Sequence, residues 1–124
     1  MLENAGLTER IIGAAIEVHK QLGPGLLESC YERCLRHEIE SQGMTCRTQV
    51  ELPVSYKGKL LDCGYRIDAI VNDQVLLEIK AVDEIHPIHE AQLLTYLKIS
   101  GLRIGLLMNF NTPKMKDGIR RRIV

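Results

Sequence analysis

Tyr65-Arg66-Ile67-Asp68-Ala69-Ile70-Val71 is followed by Asn72-Asp73-Gln74 and then by Val75-Leu76-Leu77-Glu78-Ile79-Lys80-Ala81. Two apolar, strand-like runs thus flank a turn-like triplet, the pattern of an antiparallel hairpin. Charged groups inside such runs are costly unless they are paired or meet a cation. Side chains two apart in a strand project the same way, so Glu78 and Lys80 share a face. If Asn72, Asp73 and Gln74 all form the loop, Val71 pairs with Val75 and Asp68 falls opposite Glu78. A strict two-residue turn would put the two carboxylates on opposite faces. The three-residue loop, or an equivalent bulge, is therefore the expected form. It gathers two acids and an ammonium on one patch, which suits a divalent metal and a water attacking a phosphodiester.

Upstream, Leu7 to about Leu22 reads as a helix, with Thr8 or a neighbour as its cap and Ile12, Ala15, Ile16, His19 and Leu22 at helical spacing. Gly23-Pro24-Gly25 breaks it. A second helix is expected from about Leu26 to Ser41, its apolar positions including Leu27, Tyr31, Cys34, Leu35 and Ile39, with Gly43 as the stop. Thr48 to Tyr56 partly alternates and reads as a strand that Pro53 makes irregular or places at an edge. Lys57-Gly58-Lys59 looks like a turn. Downstream, Pro87 or Ile88 to Ser100 reads as a helix, Arg103 to Phe110 as a buried strand, and Ile119 to Val124 as a possible edge strand. The order α-α-β-β-β-α-β, with a possible further β, predicts an α/β fold, a mixed sheet flanked by helices.

The chain has 124 residues, 45% hydrophobic and 26% charged, the size and composition of one globular domain spanning 1–124. No apolar run approaches the roughly 18 residues that cross a bilayer. Met1-Leu2-Glu3-Asn4 lacks the pattern of a secretory signal, so the cytoplasm is the expected compartment. Formal net charge is zero, so bulk electrostatics does not favour nucleic acid. A basic cluster stands at Lys114, Lys116 and Arg120 to Arg122, a solvated end or a set of phosphate contacts. Cys30, Cys34, Cys46 and Cys63 show no CxxC spacing and read as buried thiols of a reducing cell.

Asp68 and Glu78 offer the hard oxygens that magnesium, manganese or calcium prefer. Lys80 can orient or help deprotonate a water, or offset charge on phosphorus. The alternative is an ion pair serving only the fold, Glu78 with Lys80 or Asp68 with Arg66. The pattern alone leaves both open. Glu28 shares a helix face with Tyr31 and Leu35, which makes it either a further acid for the same patch or a boundary residue at a helix start. His89, Gln92 and Tyr96 line one side of the later helix, where Gln92 and Tyr96 can hold a phosphate oxygen or Lys80, or form only a polar flank beside Leu93, Leu94 and Leu97. His19 reads as a satisfied, semi-buried histidine.

Gly25-Leu26-Leu27-Glu28-Ser29-Cys30-Tyr31 resembles the G-x-x-E-x-x-Y signature of the GxxExxY protein family, placed in the PD-(D/E)XK nuclease superfamily. Asp68 with Glu78-Ile79-Lys80 is similar to that superfamily's acid-and-ExK centre. Gln92-Leu93-Leu94-Thr95-Tyr96 resembles the QxxxY motif of its RecB-like and lambda-exonuclease-like branches. The likeness covers nearly the whole chain, with Ile67 where the superfamily name has proline. It implies a restriction-endonuclease-like core in which Asp68, Glu78 and the Ile79 carbonyl hold Mg2+ (or Mn2+). Glu28 would be the helical acid assisting them, Lys80 the residue that positions the attacking water, and Gln92 and Tyr96 the steadying pair. The expected activity is metal-dependent cleavage of nucleic acid, DNA first. The rivals are a catalytically inactive module of the same fold that binds nucleic acid or a protein partner, and a structural protein with an ion network. A homodimer or larger complex would enlarge the small footprint.

Overall fold

A computed structural model describes residues 5–124. Met1 to Asn4, which entered the targeting expectation, lie outside the described residues. Helices α1 (Ala5–Leu22) and α2 (Glu28–Ser41) come first, then strands β1 (Cys46–Glu51), β2 (Val54–Tyr56), β3 (Lys59–Leu61), β4 (Arg66–Val71) and β5 (Val75–Lys80). Helix α3 (Pro87–Ser100), strand β6 (Ile104–Asn109), a 3-10 turn (Met115–Gly118) and strand β7 (Ile119–Ile123) complete the order. Five strands form one mixed sheet in the order β1-β4-β5-β6-β7, in which only β5 and β6 run parallel. This is an α/β restriction-endonuclease-like fold.

The sheet is buried on both faces. Ile11, Ala14, Ala15 and Val18 of α1, with Tyr31, Leu35 and Ile39 of α2, pack on Val71, Leu77, Leu106 and Met108. On the other face Leu93, Tyr96 and Leu97 of α3 cover Ile70, Leu76 and Leu107. Close packing of α3 depends on Gly105, where a Cβ would come within 2.7 Å of Leu93 Cδ1. The αL residue Gly101 (φ 79°) ends α3, donating its N–H to the Leu97 carbonyl.

Several expectations change. The buried stripe of α1 is Thr8, Ile11, Ala14, Ala15 and Val18, whereas Ile16 and Leu22 are exposed. Thr8 lies inside α1, with its hydroxyl donating to the Ala5 carbonyl at 3.0 Å, and is not a cap. Helix α2 begins at Glu28, which leaves Leu27 as the preceding cap position with its side chain exposed. The expected strand Thr48–Tyr56 is two strands: after Pro53, β2 leaves the main sheet and pairs only with β3 through the two-residue turn Lys57-Gly58. Among the thiols Cys46 is buried, but Cys63 is exposed. His19 is half-buried and within hydrogen-bonding distance of the Thr112 carbonyl, 2.8 Å from its Nε2.

Candidate active site

The β4–β5 hairpin has the three-residue loop: Val71 pairs with Val75, Ile70 with Leu76 and Ala69 with Leu77. Asn72 and Asp73 take left-handed backbone angles, and the Gln74 N–H donates to the Val71 carbonyl at 3.0 Å. Pairing stops one step short of Asp68 and Glu78, where the strands part and backbone–side-chain bonds replace the ladder. Asp68 Oδ2 accepts the Ile79 N–H at 2.7 Å, and the Asp68 N–H in turn stabilises the Glu78 carboxylate. The two acids thus join the strands where the backbone ladder has ended.

On the other side of β4 the ladder is also broken at Asp68. Thr48 pairs with Ala69 and Val50 with Ile67, but Gln49, between them, has φ 52° and leaves the pairing. A left-handed backbone costs a non-glycine residue about 1–2 kcal/mol, so the surroundings hold Gln49 there. Its amide donates to Glu32 Oε1 at 2.6 Å and also stabilises the Asp68 carboxylate.

Glu28, Ser29, Glu32, Gln49, Asp68 and Ile79 line a cleft of about 230 Å³. Glu28, the first residue of α2, reaches it from an exposed position, and its Oε2 accepts the Ala81 N–H at 3.4 Å. That placement comes from Tyr31. Its hydroxyl donates to the Gly23 carbonyl at 2.6 Å and accepts the Leu26 N–H at 3.1 Å, while its ring stacks on Phe110 at 4.6 Å. The signature tyrosine therefore closes the loop that presents the signature acid.

On α3, Gln92 Nε2 donates to the Tyr96 hydroxyl at 3.0 Å, and Tyr96 meets Tyr65 edge-on at 5.9 Å. Burial, then the nearby Glu78 charge, raises the Tyr96 hydroxyl pKa, which sets this pair beside the acids. His89 does not donate through Nδ1, which accepts the His86 N–H at 3.1 Å. Burial and then the Lys80 charge lower its pKa.

Lys80 ends β5, half-buried and paired in register with Asn109. Buried Asn109 fixes the chain that leaves Lys80: its Nδ2 donates to the Val82 carbonyl at 2.9 Å and its Oδ1 accepts the Val82 N–H at 3.0 Å. The ion-pair alternative loses one of its pairs, since Arg66 sits with Glu51 at 3.4 Å and Asp62 at 3.6 Å. In the basic C-terminal cluster Arg122 pairs with Glu90, and Arg120 donates to the Asp117 carbonyl.

The electrostatics of the gap favour a cation. Glu78 is 5% exposed, and its Oε1 is buried without a hydrogen-bond partner. Burial, reinforced by the Asp68 charge, pushes its carboxyl from 4.5 up to about 8, although Lys80 opposes the shift. Burial also raises Asp68, against the Ile79 N–H and Lys80. Among the described residues no three acid, histidine or cysteine side chains enclose a metal. Magnesium does not need such a cage, since it keeps several waters and takes one or two carboxylates. Asp68, Glu78 and the Ile79 carbonyl fit that habit, with Glu28 as a further oxygen.

Glu32 and Gln49 were not anticipated from the sequence. Glu32 follows Glu28 by one helical turn, a usable signal; the backbone of Gln49 leaves no local trace. No curated protein and no solved structure matches the chain. The model of the PD-(D/E)XK nuclease superfamily matches residues 5–122. With its acids and lysine set at the opening of a split hairpin, the chain belongs to the PD-(D/E)XK nuclease superfamily.

Proposed function

We propose that the protein is a metal-dependent nuclease that hydrolyses phosphodiester bonds, in DNA first, and that it is of the GxxExxY type within its superfamily. The observation that carries this reading is the orphaned, buried Glu78 Oε1, within reach of the Asp68 charge and with Lys80 on the same strand. A purely structural protein gains nothing from a buried carboxyl oxygen without a partner, which costs stability.

Asp68, Glu78 and the Ile79 carbonyl would hold Mg2+ or Mn2+, with Glu28 adding an oxygen from α2. When bound, the ion would lower the pKa of a water and screen charge on the phosphate. Lys80 orients the attacking water and offsets the charge that develops on phosphorus. Gln92 and Tyr96, already bonded to each other, steady the scissile phosphate or Lys80. The cytoplasm is the proposed compartment; among the described residues no helix is long and apolar enough to cross a membrane.

The test is incubation of the pure protein with single- and double-stranded DNA and RNA in Mg2+ or Mn2+. Cleavage is expected, and Lys80→Ala abolishes it while Mn2+ still binds. Cleavage that survives Lys80→Ala removes the assigned site. Binding of nucleic acid without turnover in any metal favours the inactive module instead.

A further inference from the structure

Gln49 stands opposite Asp68, in a strand, with a backbone conformation that strand residues avoid. Nothing in the turn chemistry of β1 requires it, because the residues on either side stay in register with β4. The conformation accompanies a side-chain contact: one neutral amide donates to Glu32 Oε1 at 2.6 Å in the cleft that Asp68 also lines, and it favours the Asp68 carboxylate. An amide nitrogen carries two hydrogens and no charge. It can hold two acids near each other without neutralising them, whereas a lysine or arginine in its place would compete with a metal for the same oxygens.

We infer that Gln49 is a positioning residue for the proposed hydrolysis, its amide setting the Asp68 and Glu32 carboxylates in the arrangement that receives the cation. The inference rests on the nuclease reading. Gln49 touches neither phosphate nor metal; it acts through Asp68.

Two variants separate this role from a structural one, because they shift stability in opposite directions. Gln49→Gly removes the amide but suits the left-handed backbone. Gln49→Ala removes the amide and keeps the unfavourable conformation. Each variant is compared with the wild type by calorimetry with Mn2+, by thermal melting without metal, and by cleavage at saturating DNA. The Gly variant is expected to melt at or above the wild-type temperature and the Ala variant below it. Both should lose Mn2+ affinity by about 10–100-fold, the usual effect of removing a group that orients a ligand, with cleavage falling in parallel. Wild-type affinity and turnover in the Gly variant would overturn the inference and leave the nuclease reading standing. So would a loss confined to the less stable Ala variant. A wild-type chain that neither binds Mn2+ nor cuts any nucleic acid overturns both.

Discussion

The Asp68 carboxylate and the Ile79 backbone are joined by a 2.7 Å hydrogen bond across the point where β4 and β5 stop pairing. This bond does two jobs. It ties down a strand end that has lost its ladder, and it leaves the rest of the carboxylate facing the cleft. Charge and shape at this position are therefore separable by mutation.

Asp68→Asn keeps an acceptor for the Ile79 N–H but removes the charge. The metal-free variant should melt at or above the wild-type temperature, because the cost of desolvating the Asp68 charge is gone, and Mn2+ should no longer raise its Tm. Asp68→Ala removes the acceptor too and should cost about 1–2 kcal/mol. Thermal melts with and without Mn2+ check both; an Asn variant that Mn2+ still stabilises would exclude Asp68 as a ligand.

Glu78 makes the metal-free protein sensitive to alkali. Its carboxyl titrates at about 8 when folded against 4.5 ordinarily, with burial as the main cause and Asp68 next. Between those values the folded chain keeps a proton that the unfolded chain has released, so stability falls as pH rises through that window. The contribution is complete below about pH 4.5 and gone above about pH 8. With each pKa unit worth about 1.4 kcal/mol, the fall is expected to show as a Tm drop of many degrees in EDTA. Glu78→Gln should flatten it, and an equally steep profile in that variant would place the titration elsewhere.

Tyr31 and Glu28, two residues of one short sequence pattern, should fail in different ways. Tyr31→Phe keeps the stack on Phe110 but frees the Gly23 carbonyl and the Leu26 N–H, at a cost of about 1–2 kcal/mol. Cleavage should survive below the lowered Tm. Glu28→Ala, on an exposed side chain, should leave stability within about 0.5 kcal/mol of wild type and weaken Mn2+ binding. Melting curves and calorimetry on the two variants decide the assignment.

Gln92 and Tyr96 act as one unit if their hydrogen bond matters to turnover. Gln92→Ala and Tyr96→Phe should each lower kcat, and the double variant should fall no further than the worse single one. Additive losses, measured as kcat on the same DNA, would show that the two contact the substrate separately.

The hairpin was legible in the sequence because a period of two and a countable loop leave few registers. The consequence of placing Asp68 and Glu78 side by side followed from the same count. The inner stripe of α1 was legible only at Ala15. Ile16 and Leu22 outrank Ala14 and Ala15 in hydrophobicity, yet small side chains win where a helix lies close to its neighbours. Strand β3 was missed because Lys59-Leu60-Leu61 is three exposed residues that pair with β2 alone. Gln49 escaped for a different reason: its left-handed backbone sits among groups distant in sequence, Glu32 and the β4 residue opposite it, and no local pattern encodes it.

Asn109 hangs the whole connection between Lys80 and α3 on one primary amide, which grips the Val82 peptide from both ends. Asn109 thus fixes the first residues beyond Lys80, while α3 itself is held on the sheet by Leu93 and Leu97. Asn109→Ala should therefore loosen this stretch of chain while the layered interior stays folded, and faster amide hydrogen exchange at Val82 with unchanged helical circular dichroism would report it.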